Sequence, residues 1–317
     1  MDEPTAPILT PCYQCGRTYS ARQDLCPECG TASRVKGRAR SLRADSLPGF
    51  RLQRKIGSGG MGVVFLATDL AHDRTVAVKV LRPHLSRDTS YLVRFVEEVR
   101  VLSSLKHDSI VEVYGRGREG NLVYLTMEYV DGPSARDAVR DQGHLPWREV
   151  ARITWGAAMG LNVAHQQAGV VHGDVKPGNF LLTRGGRVKL CDFGLARVDL
   201  KGRPSKDRAA ENERRGTAAY AAPERFLATP ATIQGDIYSL GVSLFQMATG
   251  ELPFEDRSVV ALKDAHLNRA IPLLRSRKEG INPALQMLLE RMMAKDPKQR
   301  YASYPALISD LSLLVEA

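Results

Sequence analysis

The chain has 317 residues, of which 43% are hydrophobic and 25% are charged, as in a globular protein of two or three domains. No run of eighteen apolar residues occurs, and the acidic, proline-rich N-terminus does not have the pattern of a signal peptide, so we expect a cytoplasmic protein without a membrane segment. The net charge of +10 suits phosphate-bearing or acidic partners. A chain rich in arginine can also have a positive net charge that serves no function. A basic stripe interleaved with aromatic residues, which would indicate nucleic-acid binding, does not occur in the sequence.

Four of the five cysteines form two Cys-x-x-Cys pairs, with ten residues between the pairs. Each pair can curl into a knuckle that directs two thiolates at one ion, and four thiolates make the tetrahedral shell of a structural zinc site. The segment resembles a zinc ribbon, whose Zn²⁺ ligands would be Cys12, Cys15, Cys26 and Cys29. Two disulfides, a redox dithiol or an iron–sulfur cluster are the alternatives, and disulfides are disfavoured in a reducing cytosol.

The chain is predicted to divide into three parts. Residues 1–33 form the zinc-ribbon-like segment, in which the metal would supply most of the folding free energy because so short a segment buries little core. Residues 34–46 are basic and polar and are interpreted as a linker. Residues 47–317 form the main domain, in which the lone Cys191 is expected to pack as a small apolar residue. The ribbon is expected to bind a protein partner, and nucleic acid has only the basic linker in its favour.

A glycine-rich stretch follows the linker. Gly57, Gly59 and Gly62 make the pattern G-x-G-x-x-G, which in a dinucleotide-binding fold would open a helix. Here "VVFLA", a polar turn and "TVAVKVL" follow instead, so the glycines are predicted to join two strands of a hairpin. Backbone amides without side chains can lie close to phosphates in that arrangement.

A buried charge pair is predicted next along the chain. In "TVAVKVL", Lys79 alternates onto the same face as Ala77 and is therefore a cation among apolar neighbours. On the following helix, Phe95 and Val99 belong to an apolar stripe, and Glu98 projects into that stripe while Glu97 projects to solvent. Because a carboxylate on a buried face is costly without a partner, we predict that Glu98 pairs with Lys79.

The stretch "VVHGDVKPGNF" at Val170–Phe180 completes a series of motifs. In order along the chain stand "GSGGMGVV", "VAVKV", Glu98, "HGDVKPGN", "DFG" at Asp192–Gly194 and "APE" at Ala222–Glu224. Over about residues 50–315 the chain resembles the eukaryotic-like Ser/Thr protein kinase family found widely in bacteria.

The resemblance implies an α+β, bilobal protein kinase fold preceded by the zinc ribbon. A small β-rich N-lobe with one main helix would span about residues 50–127, a hinge residues 128–131, and a large helical C-lobe residues 132–315. The implied activity is transfer of the ATP γ-phosphate to Ser/Thr hydroxyls of protein substrates, with Mg²⁺ or Mn²⁺ as cofactor.

The resemblance also implies a role for individual residues. Asp174 would accept the proton of the substrate hydroxyl, Lys176 would steady the γ-phosphate, and Lys79, steered by Glu98, would hold the α- and β-phosphates. Asn179 and Asp192 would bind the Mg²⁺. The nucleotide would be contacted by Ile56, Gly57, Gly59, Gly62, Val64, Ala77, Lys79, Met127, Glu128 and Val130. Structural roles fall to His172, Phe193, Gly194, Thr217, Glu224, Asp236 and Arg300, with Asp236 bracing the catalytic loop and Arg300 pairing with Glu224.

One position departs from the family. The family usually has an arginine at the position of Gly173. That arginine can bind a phosphorylated activation loop through charge-assisted hydrogen bonds. We therefore predict that activity does not depend on activation-loop phosphorylation, in a loop whose hydroxyls are Ser205, Thr217 and Tyr220. Lys176 and Thr217 favour Ser/Thr over Tyr as the acceptor.

Two other functions remain open from the sequence. The chain could be a pseudokinase that binds ATP and acts as a scaffold, for which the departure at Gly173 is weak support. Alternatively, the ribbon could be the main binding module and the kinase its regulator.

Overall fold

The computed structural model describes residues 9–11, 18–20, 47–87, 89–193, 216–227, 229–256, 258–274 and 280–316. The chain divides into two compact units. The first, called here the β-rich unit, contains Met1–Ser104 and Glu112–Tyr129; the second, the helical unit, contains Leu105–Val111 and Val130–Ala317. The predicted bilobal α+β class is confirmed by this division into a unit built on a β-sheet and a unit built mainly of helices.

The β-rich unit is built on a five-stranded antiparallel sheet with the strand order β3-β4-β5-β7-β6. Its strands are β3 (Phe50–Ser58), β4 (Gly62–Asp69), β5 (Arg74–Leu81), β6 (Val113–Glu119) and β7 (Leu122–Glu128). Strands β3 and β4 meet at the glycine-rich turn, as the sequence predicts.

Alternating side chains of the central strand make the core of this sheet. Val76, Val78 and Val80 of β5 lie on one face and pack with Leu52 and Ala67. A long buried aliphatic row of this kind removes a large apolar area from water and so ties β5 to its neighbours.

Two helices, α1 (Pro83–Arg87) and α2 (Thr89–Leu102), follow β5. The predicted stripe of α2 is buried at Phe95, Val99 and Leu102. The helix ends earlier than its apolar pattern because the hydroxyls of Ser103 and Ser104 bond to carbonyls of the preceding turn.

A short hairpin stands near the start of the chain. Strand β1 (Leu9–Pro11) pairs antiparallel with β2 (Thr18–Ser20), and Pro11 faces Thr18. The predicted zinc ligands Cys12, Cys15, Cys26 and Cys29 lie outside the described residues, as do the predicted linker 34–46 and the segment 194–215 that contains Gly194 and Ser205.

Six helices and a hairpin supply the named elements of the helical unit in the described part of the chain. The helices are α3 (Ala135–Gln142), α4 (Trp147–Ala168), α5 (Ile233–Thr249), α6 (Val259–Asn268), α7 (Pro283–Met292) and α8 (Tyr304–Val315). The hairpin pairs β8 (Phe180–Leu182) with β9 (Val188–Leu190). Among the described residues, no helix is long and apolar enough to cross a membrane.

Helix α5 is the buried centre of this unit. The sequence predicts a long buried helix with Asp236 at its head, and α5 begins three residues earlier, at Ile233. The earlier start has a local cause, because the Thr232 hydroxyl caps the helix by accepting from the Gly235 amide at 3.1 Å. Asp236 therefore lies in the first turn, where the helix dipole favours a negative charge.

The segment Leu105–Val111 lies inside the predicted N-lobe but belongs to the helical unit. The Leu190 amide donates to the Ser109 carbonyl at 2.8 Å, and the Val111 amide donates to the Leu190 carbonyl at 2.9 Å. These bonds add the segment to the edge of β9, which a reading of local sequence patterns does not reveal.

Candidate active site

The catalytic loop, residues 172–179, leads from α4 into β8, and its histidine is buried. The Asp174 amide donates to His172 Nδ1 at 3.2 Å, and His172 Nε2 lies 3.0 Å from the Cys191 carbonyl oxygen. Since Nδ1 accepts, Nε2 carries the proton and donates to Cys191. With both ring nitrogens engaged and the ring packed 4.7 Å from that of Phe193, His172 supports the loop rather than the chemistry. Cys191 itself is half-buried.

Asp236 holds the backbone of this loop. One carboxylate oxygen accepts from the His172 amide and the other from the Gly173 amide, each at 2.8 Å. Tyr304 donates its hydroxyl to the same carboxylate at 3.0 Å. Burial raises the pKa of Asp236 above its ordinary value, although these donors oppose the shift. Two consecutive amides are thereby fixed just before Asp174.

Gly173 adopts a backbone conformation that suits glycine, with φ of +73°. Among the described residues, a Cβ at this position would meet only Ala231 Cβ, at 3.5 Å, so the constraint seen here is in the backbone. The resemblance implies that Gly173 replaces the arginine usual in the family. The positive φ gives a structural reason why glycine suits this position.

Asp174, Lys176 and Asn179 are joined by direct hydrogen bonds. Lys176 Nζ lies 2.6 Å from Asp174 Oδ2, and the Asn179 side-chain nitrogen donates to the Asp174 carbonyl at 2.8 Å. Because its nitrogen is used in this way, the Asn179 amide presents its oxygen as the atom that can bind a cation.

Asp192 is brought next to Asn179 by the β8–β9 hairpin. Phe180 pairs with Leu190, and beyond that pair the Cys191 amide donates to the Asn179 carbonyl at 3.0 Å. Asp192 itself has a φ of +58°, an uncommon conformation for a residue other than glycine. A carboxylate and an amide oxygen on adjoining ends of one hairpin are hard donors, and they fit Mg²⁺ or Mn²⁺.

A small pocket opens beside Asp174. Gly173, Thr217, Tyr220 and Ala231 are among its lining residues. Burial raises the pKa of Tyr220 to about 12, and its hydroxyl donates to Gln246 at 2.5 Å, so Tyr220 is a neutral part of the wall. Thr217 and Asp174, the residue predicted to act as the base, therefore line the same pocket.

The glycine-rich turn of the β-rich unit uses its three glycines differently. A Cβ on Gly62 would overlap the carbonyl oxygen of Val80 on the neighbouring strand β5. A Cβ on Gly57 would reach only ordinary contact with Val64, and one on Gly59 would meet no atom of the described residues within 4 Å. Gly62 is thus required by the close approach of two strands, independently of any ligand.

Lys79 is 4% exposed, as the alternation of β5 predicts. Its ammonium lies 3.8 Å from the sulfur of Met61 in the glycine-rich turn. Glu98 lies on α2, but its side chain is outside the described part of the structure, so its pairing with Lys79 stays a prediction. Glu97 is exposed and binds Arg100, as the helical pattern predicts for its solvent side.

The predicted adenine contacts are distributed over several strands. Ala77 of β5 faces Met127 of β7, and both side chains are buried. Glu128 ends β7, where its amide donates to the Glu112 carbonyl at 2.8 Å. The remaining predicted contacts are Ile56 on β3, Val64 on β4 and Val130, the first residue of the C-terminal part of the helical unit.

Sequence reasoning missed two supporting residues. Tyr304 donates a hydrogen bond to Asp236, and Arg82 donates to the Gly59 carbonyl in the glycine-rich turn. Tyr304 is 68 residues from its partner in the chain, and no local pattern signals that contact. Arg82 follows β5 directly, but an arginine after a strand carries no distinctive signal.

Comparison with known proteins gives concordant results. The sequence profile of the protein kinase domain family matches residues 50–310. Serine/threonine-protein kinase PknJ of Mycobacterium tuberculosis is 39% identical over 272 residues, which cover 84% of this chain and 45% of PknJ. Serine/threonine-protein kinase PknB of Mycobacterium leprae is 39% identical over 261 residues, which cover 81% of this chain and 41% of PknB.

A solved structure is also similar. The crystal structure of the Mycobacterium tuberculosis PknI kinase domain matches with a TM-score of 0.68 and 29% identity, covering 86% of this chain and 98% of that domain. The chain spans less than half the length of the curated relatives it matches.

Proposed function

Because the chain belongs to the protein kinase family, in its bacterial serine/threonine branch, we propose that it transfers the γ-phosphate of ATP to Ser/Thr hydroxyls of protein substrates. The observation that carries this proposal is the arrangement of the catalytic loop, in which Asp174, Lys176 and Asn179 are bonded to one another beside Asp192. Phosphoryl transfer needs little covalent help from a protein and depends on positioning and charge, which such a loop provides.

The helical unit would supply the groups at the acceptor side. Asp174 would accept the proton of the incoming hydroxyl, since its carboxylate is held in place through the backbone by Asp236 and at Oδ2 by Lys176. When nucleotide binds, the positively charged Lys176 ammonium would pair with the γ-phosphate. The nearby pocket lined by Thr217 would give the acceptor segment a place next to Asp174, and it supports the preference for Ser/Thr that the resemblance implies.

Asn179 and Asp192 would hold the divalent cation through their side-chain oxygens. The cation, when bound, neutralises phosphate oxygens and so lowers the barrier to transfer. The chain's own contribution is to fix these two oxygen donors at the adjoining ends of the β8–β9 hairpin.

The β-rich unit would supply the groups that hold the nucleotide. Lys79, buried on β5 behind the glycine-rich turn, would bind the α- and β-phosphates, and Glu98 would orient it. Ala77, Met127 and Val64 would provide apolar contacts for the adenine.

The activity is tested with labelled Mg-ATP and a mixture of Ser-, Thr- and Tyr-containing peptides. We expect phosphoserine or phosphothreonine and no phosphotyrosine. Asp108→Asn is a matched control for Asp174→Asn, because Asp108 is an exposed aspartate that pairs with the exposed Arg187 at 2.6 Å. Nucleotide binding without any transfer by the unmodified chain would favour the scaffold function instead.

We further propose that activity does not require phosphate on the activation loop. Gly173 supports this proposal because it has no side chain with which to grip a phosphate. The test compares the phosphatase-treated chain with the untreated chain and with the separate variants Ser205→Ala and Thr217→Ala. Full activity after phosphatase treatment is expected, whereas strict dependence on loop phosphate would contradict the proposal.

For the N-terminal segment, we propose a Zn²⁺ site formed by Cys12, Cys15, Cys26 and Cys29 that presents a surface to a protein partner. Two observations support it: the spacing of the cysteines, and the antiparallel pairing of β1 with β2 on either side of the first pair. Metal analysis of the full chain is expected to give one zinc per molecule, and Cys26→Ser is expected to abolish it. Stoichiometric iron or two disulfides in its place would contradict the proposal.

A further inference from the structure

Arg82 is the first residue after β5 and binds the glycine-rich turn twice. Its backbone amide donates to the Met61 carbonyl at 2.8 Å. Its guanidinium donates through Nη2 and Nε to the Gly59 carbonyl at 2.7 and 3.0 Å. One residue from outside the turn thus holds both ends of the Gly59–Met61 peptide run.

These contacts decide which way the amides of the turn point. The peptide bonds are trans, so each carbonyl and the N–H of the following residue are directed to opposite sides of the peptide plane. With the Gly59 carbonyl turned to the guanidinium, the Gly60 N–H is directed away from Arg82. The Met61 carbonyl accepts from the Arg82 amide, and the Gly62 N–H is directed away in the same manner.

The glycines of the turn make such a constraint necessary. A Cβ on Gly59 would meet no described atom within 4 Å, so side-chain packing does not restrict this residue. Glycine also has more backbone freedom than any other residue and loses more entropy when it is fixed. The Gly59 amide donates to the Gly62 carbonyl at 3.0 Å, which closes the turn, but the Gly59 and Met61 carbonyls are fixed by Arg82.

We infer that Arg82 is a positioning residue for the nucleotide: it preorganises the glycine-rich turn with the Gly60 and Gly62 amides directed away from Arg82, as donors to phosphate oxygens. Arg82 acts through the turn and does not itself touch the phosphates. The inference rests on the proposed function, since it gives the turn a phosphate ligand. Preorganisation lowers the entropy that binding must overcome, so the effect is expected mainly in nucleotide affinity.

The chain offers a matched control in Arg118. Its Nε donates to the Gly120 carbonyl at 3.1 Å in the β6–β7 turn, so it too is an arginine bound to a glycine carbonyl of a hairpin in the same unit. Arg82→Ala and Arg118→Ala therefore both remove a positive charge and side-chain donation to a glycine carbonyl, through two bonds at Arg82 and one at Arg118, and they release different turns.

The experiment measures Mg-ATP affinity of the full chain by displacement of a fluorescent ATP analogue, together with KM for ATP and kcat. Arg82→Ala is expected to raise the dissociation constant and KM about five- to tenfold, the usual net effect of losing one hydrogen bond, with a smaller change in kcat. Arg82→Lys, which keeps a cationic donor but loses the planar fork, is expected to fall between wild type and Arg82→Ala. Arg118→Ala is expected to bind like wild type.

A dissociation constant of Arg82→Ala within twofold of the Arg118→Ala value would overturn the inference. Should Arg82→Ala fail to fold, Arg82→Gln decides by the same criterion, because it keeps side-chain length and removes the charged fork. If wild type binds Mg-ATP and the Arg82 variants bind equally well, only the inference fails. If wild type does not bind Mg-ATP, the proposed function fails and the inference with it.

Discussion

Arg300 and Glu224 form a bidentate ion pair across 76 residues of the chain, with Nη1–Oε1 and Nη2–Oε2 distances of 2.8 and 2.9 Å. The Arg300 side chain is fully buried, and it also donates to the carbonyls of Ala294, Gln234 and Lys295. The pair joins the "APE" motif, which follows the segment that contains Thr217, to the loop before α8. A buried arginine with so many fixed acceptors belongs to the framework of the helical unit.

Removal of one partner of this pair is expected to be costly. Glu224→Ala leaves the Arg300 guanidinium buried without its carboxylate and should lower the free energy of unfolding by about 3 kcal/mol. The control is Asp108→Ala, which breaks the exposed Arg187–Asp108 pair at 2.6 Å and should cost less than about 1 kcal/mol. Urea denaturation measures the free energy of unfolding of both variants. Equal losses would show that burial does not make the Arg300–Glu224 pair more costly to break than an exposed pair.

Substitution of Gly173 is expected to strain the catalytic loop. Gly173→Ala must adopt a φ of +73°, which costs an alanine on the order of 1 kcal/mol, while Ala231 leaves room for the added methyl group. Gly185→Ala in the β8–β9 turn is the control, because Gly185 is not among the positive-φ glycines and a Cβ there meets, within the described part of the chain, only Thr183 Oγ1, at 3.9 Å. Thermal unfolding should give a lower midpoint for Gly173→Ala than for Gly185→Ala; the reverse order would contradict the backbone explanation.

The glycine-rich turn gives a prediction about stability that is separate from nucleotide binding. Gly62→Ala puts a methyl group into the Val80 carbonyl, a backbone atom that cannot move aside, so a loss of about 2 kcal/mol or more is expected. Gly57→Ala, whose Cβ would lie 3.6 Å from Val64 Cβ, should change stability by less than half of that. Urea denaturation without nucleotide measures both, and similar stabilities would mean that β4 can shift away from β5.

His266 predicts an acid sensitivity of the helical unit. Burial, with the nearby Lys295 ammonium, lowers the pKa of His266 to about 3, and Tyr238 Oη lies 2.8 Å from its Nδ1. Between pH 6.5 and 3 the unfolded chain binds a proton at His266 and the folded chain does not, so stability falls as the pH falls. A single proton contributes about 1.4 kcal/mol per pH unit at most.

Urea denaturation at pH 6 and pH 5 measures this contribution. His266→Gln should lose on the order of 1 kcal/mol less than wild type between the two values, because glutamine does not titrate. Leu262→Ala, at a buried apolar position on the same helix, should lower stability at both pH values and keep the wild-type difference between them. An unchanged pH dependence in His266→Gln would show that His266 is not responsible.

Much of the architecture follows from patterns that are local in sequence. Strand β5 alternates and α2 repeats at helical spacing, so the burial of Val78 and Phe95 is predictable from the nearest few residues. An acid at the head of an apolar helix likewise predicts that Asp236 is buried near a helix start. The motif order then identifies the residues of the catalytic loop.

The remaining features depend on dihedral angles or on partners that are distant in the chain. The φ of Gly173, the bond from Arg82 to Gly59 and the assignment of Leu105–Val111 to the helical unit are of this kind. Each results from how folded elements constrain one another, and no periodicity or composition signal records it. Gly62 shows the same limit, because its motif predicts a phosphate contact and the close approach to Val80 is visible only in the fold.

In the proposed reaction, Asp174 accepts the proton of the substrate hydroxyl during phosphoryl transfer from Mg-ATP. The most direct test of this role compares kcat and nucleotide affinity in Asp174→Asn, which keeps the shape of the side chain and removes its basicity. We expect kcat to fall by about two to four orders of magnitude, the usual worth of a general base, while the dissociation constant of Mg-ATP stays within about threefold of wild type. A kcat for Asp174→Asn equal to that of wild type would contradict the role of Asp174 as the proton acceptor.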